Sequence, residues 1–226
     1  MSSDTPVPAP TPGLRERKKQ RTREVLSESA VRLFLEKGYE KVSVAEVAEA
    51  AGVSKPTVFR YFASKEDLVL HRFADHEDEA ARVVAGRGDG ESVVGALRRH
   101  FLDGVARRDP VTGVCDHPAV LAYLRLLYGT PALVARLAGY QERSELALAE
   151  VLVGEGWGGV EARLAAGQVV TVQRILAQEN VRRVVGGESA DEVAEGAARA
   201  AEVGFRQLEG GVGGGGGSGR VGRAGA

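Results

Sequence analysis

A single cysteine, Cys115, stands among the 226 residues, so no internal disulfide can form and any fold must rest on an apolar core. Cys115 itself reads as a small buried hydrophobe rather than a sensor. Proline is sparse beyond the opening MSSDTPVPAPTPG, which holds four of the eight; Pro56, Pro110, Pro118 and Pro131 stand apart as punctuation. No apolar run approaches the length needed to cross a bilayer. No lysine or arginine precedes an apolar stretch at the N-terminus, as a signal peptide requires, and a soluble cytoplasmic protein is expected. Alternating apolar and polar residues bounded by hairpin turns are also missing, which argues against a sheet. His71 and His76 are five apart, not the four that stacks two ligands on a helix face, and there is no H-E-x-x-H. Cys115, Asp116 and His117 cluster locally, but read as a loop coincidence. No metal, no cofactor and no catalytic residue is expected.

Charge is present in quantity but unevenly placed. The formal net charge is only −1, yet residues 15–65 carry twelve Lys/Arg against seven Asp/Glu, while residues 66–209 have a balance of −7. A charge-balanced chain with one basic end suits a protein that grips phosphates at that end only. Residues 1–13 and the tail 210–226, with ten glycines in seventeen positions, offer too little apolar surface to order and are expected to be disordered.

Between the tails, alanine, leucine, valine, glutamate and arginine recur with helical spacing, so an all-α fold of about nine helices is expected. The first runs from Leu14 to Lys37, with Leu26, Ala30, Leu33 and Phe34 as its apolar stripe and Gly38 as its stop. Its first turns hold Arg15, Arg17, Lys18, Lys19, Arg21 and Arg23, too charged to bury. The second opens on a capping box, Ser43 with Glu46, stapled by Val42 and Val47, and ends at Gly52. The third is capped by Ser54, has Pro56 in its first turn, where a missing N–H costs nothing, and reaches Phe62. Ser64 caps a fourth helix that continues through Phe73 toward Val84. Five more follow at about 91–108, 118–128, 131–153, 158–185 and 190–208, the last opened by the Ser189/Glu192 box.

Two short helices joined by a glycine turn, bracketed by Ser43 and Lys65, have the form of a helix-turn-helix: one helix braces a second, whose exposed side enters the major groove of DNA. Val47, Ala48, Val53 and Val58 are expected at the buried seam, with Phe34 and Phe62 closing the core. Lys55, Thr57, Phe59, Arg60 and Tyr61 remain outward. Arg60 has the donor fork that pairs with guanine O6 and N7. Lys55 suits a base edge or a phosphate, Thr57 a phosphate or a thymine methyl, Phe59 a sugar or a thymine methyl, and Tyr61 a phosphate. Ser43 and Lys65, at helix N-termini, are candidates for phosphate contact, and Ser54 is a further DNA-binding candidate.

The residues Gly38-Tyr39, Ser43-Val44, Val47-Ala48, Ala51-Gly52-Val53-Ser54, Thr57 with Phe59, Tyr61-Phe62, and Lys65 with Leu68 make this segment resemble the DNA-binding domain of the TetR family of bacterial regulators. The resemblance covers about fifty residues. It implies a helix-turn-helix domain at residues 14–73 and a helical ligand-binding and dimerisation domain at 74–209. It strengthens Ser43, Thr57, Tyr61 and Lys65 as contacts and leaves Lys55 and Arg60 where members differ. Many members have tyrosine where this chain has Phe59, so a hydroxyl contact there is not carried over.

The expected activity is that of a repressor which binds a palindromic DNA operator as a homodimer and is released by a small, largely apolar effector. An activator or ligand-independent regulator stays open, as does a helical enzyme or binding protein with an idle head. The last two helices are the expected dimer interface, through Val169, Val170, Val172, Ile175 and Leu176 and the stripe Val193, Ala197, Ala198, Ala201, Phe205. Candidates for an effector cavity are His100, Phe101, Tyr123, Leu127, Tyr128, Tyr140, Trp157 and Gln173, since an inward polar group in an apolar bundle is either locally paired or reserved for a ligand.

Overall fold

In a computed structural model of the chain, which describes residues 13–210, there are ten α-helices and two single 3-10 turns, and no strand among the described residues. The chain divides into two compact units between His71 and Arg72. The tails expected to be disordered lie almost wholly outside the described residues.

The first unit is built from α1 (Leu14–Lys37), a turn at Tyr39–Lys41, α2 (Val44–Ala50), α3 (Lys55–Tyr61) and the greater part of α4 (Lys65–Ala74). Leu26, Ala30, Leu33 and Phe34 of α1 are buried, as their spacing requires, against Val42, Val47, Ala48, Val58, Phe62 and Leu68. Ser27 Oγ donates to the Leu68 carbonyl at 2.8 Å, tying α1 to α4 inside this core. Val53, expected in the seam, is only half-buried. It lies outside both helices, in the turn, where its N–H bonds to the Ala48 carbonyl at 2.9 Å.

The second unit holds α5 (Glu79–Ala85), α6 (Val93–Ala106), a turn at Pro110–Thr112, α7 (Pro118–Gly129), α8 (Pro131–Gly154), α9 (Gly159–Val185) and α10 (Ala190–Gly210). The helix expected to run on toward Val84 is two helices, α4 and α5. The segment Asp75-His76-Glu77-Asp78 separates them, held by short i to i+3 bonds such as His76 N–H to Phe73 O at 3.0 Å. Three carboxylates at the C-terminal end of α4 oppose its dipole, while the same acids favour the start of a new helix. Arg82 donates to Asp78 at 3.0 Å and secures that start.

The core of this unit joins α5, α6, α8, α9 and α10 through residues such as Leu97, Phe101, Leu148, Leu152 and Phe205, with the Phe101 and Phe205 rings 6.0 Å apart. Val193, Ala197, Ala201 and Phe205, expected at a dimer interface, are buried inside the subunit instead, as are Val169 and Val170. Small residues here let α10 approach its own neighbours α6 and α9. Gly113, at φ 77°, lies so close to α9 that a Cβ would strike the Ala177 carbonyl oxygen. Beside it the buried Asn180 donates to the Thr112 carbonyl at 2.9 Å.

The Cys115-Asp116-His117 cluster is accounted for by capping. Asp116 accepts from the first N–H of α10 at 2.8 Å, and His117 Nδ1 accepts from Ala119 N–H at 3.3 Å to open α7. Cys115 is half-buried rather than buried, and no group of three metal-ligating side chains occurs among the described residues. Among those residues no single helix is long and apolar enough to cross a membrane.

Candidate DNA-binding site and effector cavity

The turn between α2 and α3 is shaped by backbone bonds. Gly52 takes φ 68°, a left-handed conformation that side chains with a Cβ resist. Its N–H reaches the Glu49 carbonyl at 3.0 Å, and the next N–H, on Val53, reaches back to Ala48. This pair of bonds stops α2 and turns the chain sharply.

Both helices then begin on serine caps. Ser43 accepts from the Glu46 N–H at 3.2 Å, while the Glu46 carboxylate accepts from the Ser43 N–H at 2.8 Å and from its hydroxyl at 3.0 Å. The bonds from the Ser43 backbone and side chain, with help from Lys37, hold the Glu46 carboxyl below its usual range. That leaves Ser43 holding its cap beside the Glu46 carboxylate. Ser54 caps α3 through the Thr57 N–H at 3.3 Å, and the two hydroxyls share a hydrogen bond at 2.8 Å.

On α3 only Val58 is fully turned into the core. Lys55, Phe59 and Arg60 are exposed, Phe59 by 48%, while Thr57 and Tyr61 are half-buried. The Lys55 ammonium lies 6.0 Å from the Phe59 ring and the Arg60 guanidinium 5.5 Å from the Tyr61 ring. The result is a short helix that offers solvent two cations, each against an aromatic. At the N-terminal end of α1, Arg15, Arg17, Lys18, Lys19 and Arg21 are also exposed.

Lys65 is not an open clamp. Its ammonium sits 4.0 Å from the Tyr39 ring and 5.2 Å from that of Phe34, and donates to the Tyr39 carbonyl at 2.5 Å. Tyr39 in turn donates its hydroxyl to Glu66 at 2.6 Å. Burial first, and then the Glu66 carboxylate, push that hydroxyl far above the usual tyrosine range. Burial opposes ionisation of Glu66, but hydrogen bonds from Tyr39, its own backbone and Ser64 outweigh it and keep the carboxyl low.

In the second unit a cavity of about 200 Å3 lies among α5 to α9, with Phe73 of α4 on its wall. Five of the expected residues line it: His100, Phe101, Tyr128, Tyr140 and Gln173. Tyr123, Leu127 and Trp157 do not. On α7 the pair Leu124/Tyr128 faces the cavity, so Tyr123 and Leu127, one position back, face elsewhere. Tyr123 stacks on Phe73 at 6.4 Å, Leu127 is wholly buried, and Trp157 packs on the core from the turn between α8 and α9.

Sequence reasoning missed Glu79, Gln141, Ser144, Arg174 and Gln178 on this wall. Glu79 bridges two imidazoles, His76 Nδ1 and His100 Nε2, each at 2.8 Å. Those bonds, from His100 and then His76, hold the Glu79 carboxyl well below the usual carboxylate range; the bond to Glu79 raises His76. The only signal was Glu79 and His100 each lying on the inward face of an amphipathic helix, obscured by the acidic run around Glu79.

A capped two-helix unit with an outward cationic second helix defines a helix-turn-helix DNA-binding protein. Residues 26–71 match the family model described as bacterial regulatory proteins, tetR family. The chain is 36% identical over 154 residues to the transcriptional regulator TcmR of Streptomyces glaucescens, spanning 66% of this chain and 68% of that one. It is 35% identical over 112 residues to the transcriptional repressor AcnR of Corynebacterium glutamicum, 44% of this chain and 60% of that one. The fold is similar to that of NalD, the secondary repressor of a multidrug efflux pump in Pseudomonas aeruginosa, with a TM-score of 0.52 at 19% identity over 82% of this chain and 97% of that one. A TetR-family regulator of Streptomyces coelicolor also gives a TM-score of 0.52, at 24% identity, over 88% and 99%. The chain belongs to the TetR family of transcriptional regulators, which bind DNA as dimers and are not enzymes.

Proposed function

We propose that this regulator is a cytoplasmic repressor that reads a palindromic operator with α3 and leaves it when a small molecule fills the body's cavity. The observation that carries the DNA-reading half is the exposure of Lys55, Phe59 and Arg60 on a helix anchored by Val58. Arg60 is assigned the base contact, since its fork matches guanine O6 and N7; Lys55 contacts a base edge or phosphate, and Tyr61 a phosphate. Phe59 packs on sugar or a thymine methyl. Ser43, Ser54 and Thr57 act by holding the helix starts, and Lys65 by bracing Tyr39. The basic first turns of α1 add sequence-independent affinity. Repression is favoured by similarity to repressors such as AcnR.

One recognition helix reads only a few base pairs, so two must act together, in major grooves about 34 Å apart. The last two helices remain the assigned interface, through a different face from the one buried in the subunit: Leu164, Ile175 and Val203 are 61, 54 and 51% exposed. The effector half rests on the cavity and on α4, which carries Leu68 into the head core and Phe73 to the cavity wall. A ligand that prefers the conformation with displaced α4 lowers operator affinity by mass action. Deleting the gene while following a fusion of its target promoter tests the repressor reading. Expression should rise; a fall would make the protein an activator.

A further inference from the structure

On the cavity wall the carboxylates have partners of their own, and one guanidinium is left, among the described residues, without a carboxylate. Each carboxylate there is already answered. Glu77 takes two bonds from the Arg143 guanidinium at 2.7 and 2.9 Å. Glu79 lies between His76 and His100. Asp109 accepts from the Val111 N–H at 3.0 Å and lies 4.0 Å from Arg107.

Arg174 is different. Its side chain lines the same cavity, is half-buried, and donates to Gln178 Oε1 at 3.1 Å; among the described residues it forms no ion pair with a carboxylate. A guanidinium cannot shed its proton to escape a poor environment, and it has five N–H donors to place. Much of the surrounding wall is apolar, with Phe73, Phe101, Leu137 and Val170. A positive charge held there with an amide oxygen but no carboxylate favours an anion that enters.

We propose that the effector is an apolar molecule bearing one anionic group, a carboxylate or ionised acidic hydroxyl, and that Arg174 is the residue that binds it. The proposal rests on reading this cavity as the effector site. The neighbouring surface is consistent with it. A second depression of about 440 Å3 between α7 and α9 shares Leu124, Tyr128, Gln178 and Val181 with the cavity and is lined also by Arg125; Arg182, on the same lining, is already paired with Glu179. The cavity is smaller than the roughly 300–1,000 Å3 of sites for drug-sized ligands, so a body of one or two rings fits the space as it stands.

The test uses 2-naphthoate and its uncharged methyl ester, titrated calorimetrically into the full-length dimer near neutral pH. The acid should bind about tenfold tighter than the ester, the worth of a charge-assisted bond. Arg174→Gln, which keeps a polar side chain of similar reach, should erase that preference while its circular dichroism and operator affinity without ligand stay those of the parent. A preference that survives Arg174→Gln, an ester that binds as well as the acid, or no binding of the acid at millimolar concentration overturns the assignment. Operator release is scored separately. Release by acid and ester alike leaves the ligand-released repressor standing and removes the anion preference. Tighter binding of the acid without release does the reverse.

Discussion

The ammonium of Lys65 rests on the Tyr39 ring, donates to the Tyr39 carbonyl, and so ties the start of α4 to the turn that follows α1. A cation placed this way stabilises the head whether or not DNA is present. Lys65→Met, which keeps the stem and removes the charge, should therefore destabilise the protein by about 1–2 kcal/mol in chemical unfolding. It should also leave base preference unchanged, as a randomised-operator binding assay would report. A uniform loss of affinity across operator sequences with unaltered stability would restore Lys65 as a phosphate contact. That Lys55, Phe59 and Arg60 face outward on α3 was legible in the sequence, because caps, staples and one glycine fix the phase of so short a helix; Thr57 and Tyr61, expected outward with them, are half-buried. The fate of Lys65 was not legible. Whether a lysine at a helix start faces solvent or an aromatic ring depends on where a turn twenty-six positions earlier folds back.

Helix α2 owes its length to two local devices, the Ser43/Glu46 box at one end and the left-handed Gly52 at the other. Both were readable, since each depends on residues within five positions. Gly52→Ala places a Cβ where φ is 68° and should cost about 1–2 kcal/mol, seen as an earlier midpoint in urea, with operator affinity falling in step as the turn loosens. An unchanged midpoint would mean that the turn tolerates alanine and that the angle is not a constraint. The body's elements were less legible. The α4/α5 break lies in an acidic run whose helical spacing continues through it, so periodicity alone reads one helix. On α10 the stripe from Val193 to Phe205 was correctly seen as apolar, but a stripe does not say whether it meets its own subunit or another. Tyr123 and Leu127 missed the cavity for a different reason: they are on the right helix but one residue out of phase with it.

Across the whole molecule, charge is divided between a basic head and an acidic body, and the body's most perturbed group is Glu79. Its carboxyl is depressed, so its stabilisation is present above the ordinary carboxylate value of 4.5 and is lost as pH falls through the lower folded value. His76 is raised, so its share is full below the ordinary imidazole value of 6.5 and is lost as pH rises through the higher folded value. Both contribute fully between those limits. Glu79→Gln should accordingly lower the unfolding midpoint most at about pH 5.5, with the deficit shrinking in strong acid and in alkali; a deficit independent of pH would detach the pair from stability. The central claim concerns the other end of the chain, that α3 reads DNA in a symmetric pair. It is tested most directly by selecting bound sequences from a random duplex pool with the parent protein and with Arg60→Ala. The parent should enrich an inverted repeat whose half-sites are centred about 10 base pairs apart or a multiple of that, and Arg60→Ala should lose discrimination at one base position in each half. No common sequence, or the same sequence selected equally sharply by both proteins, would contradict it.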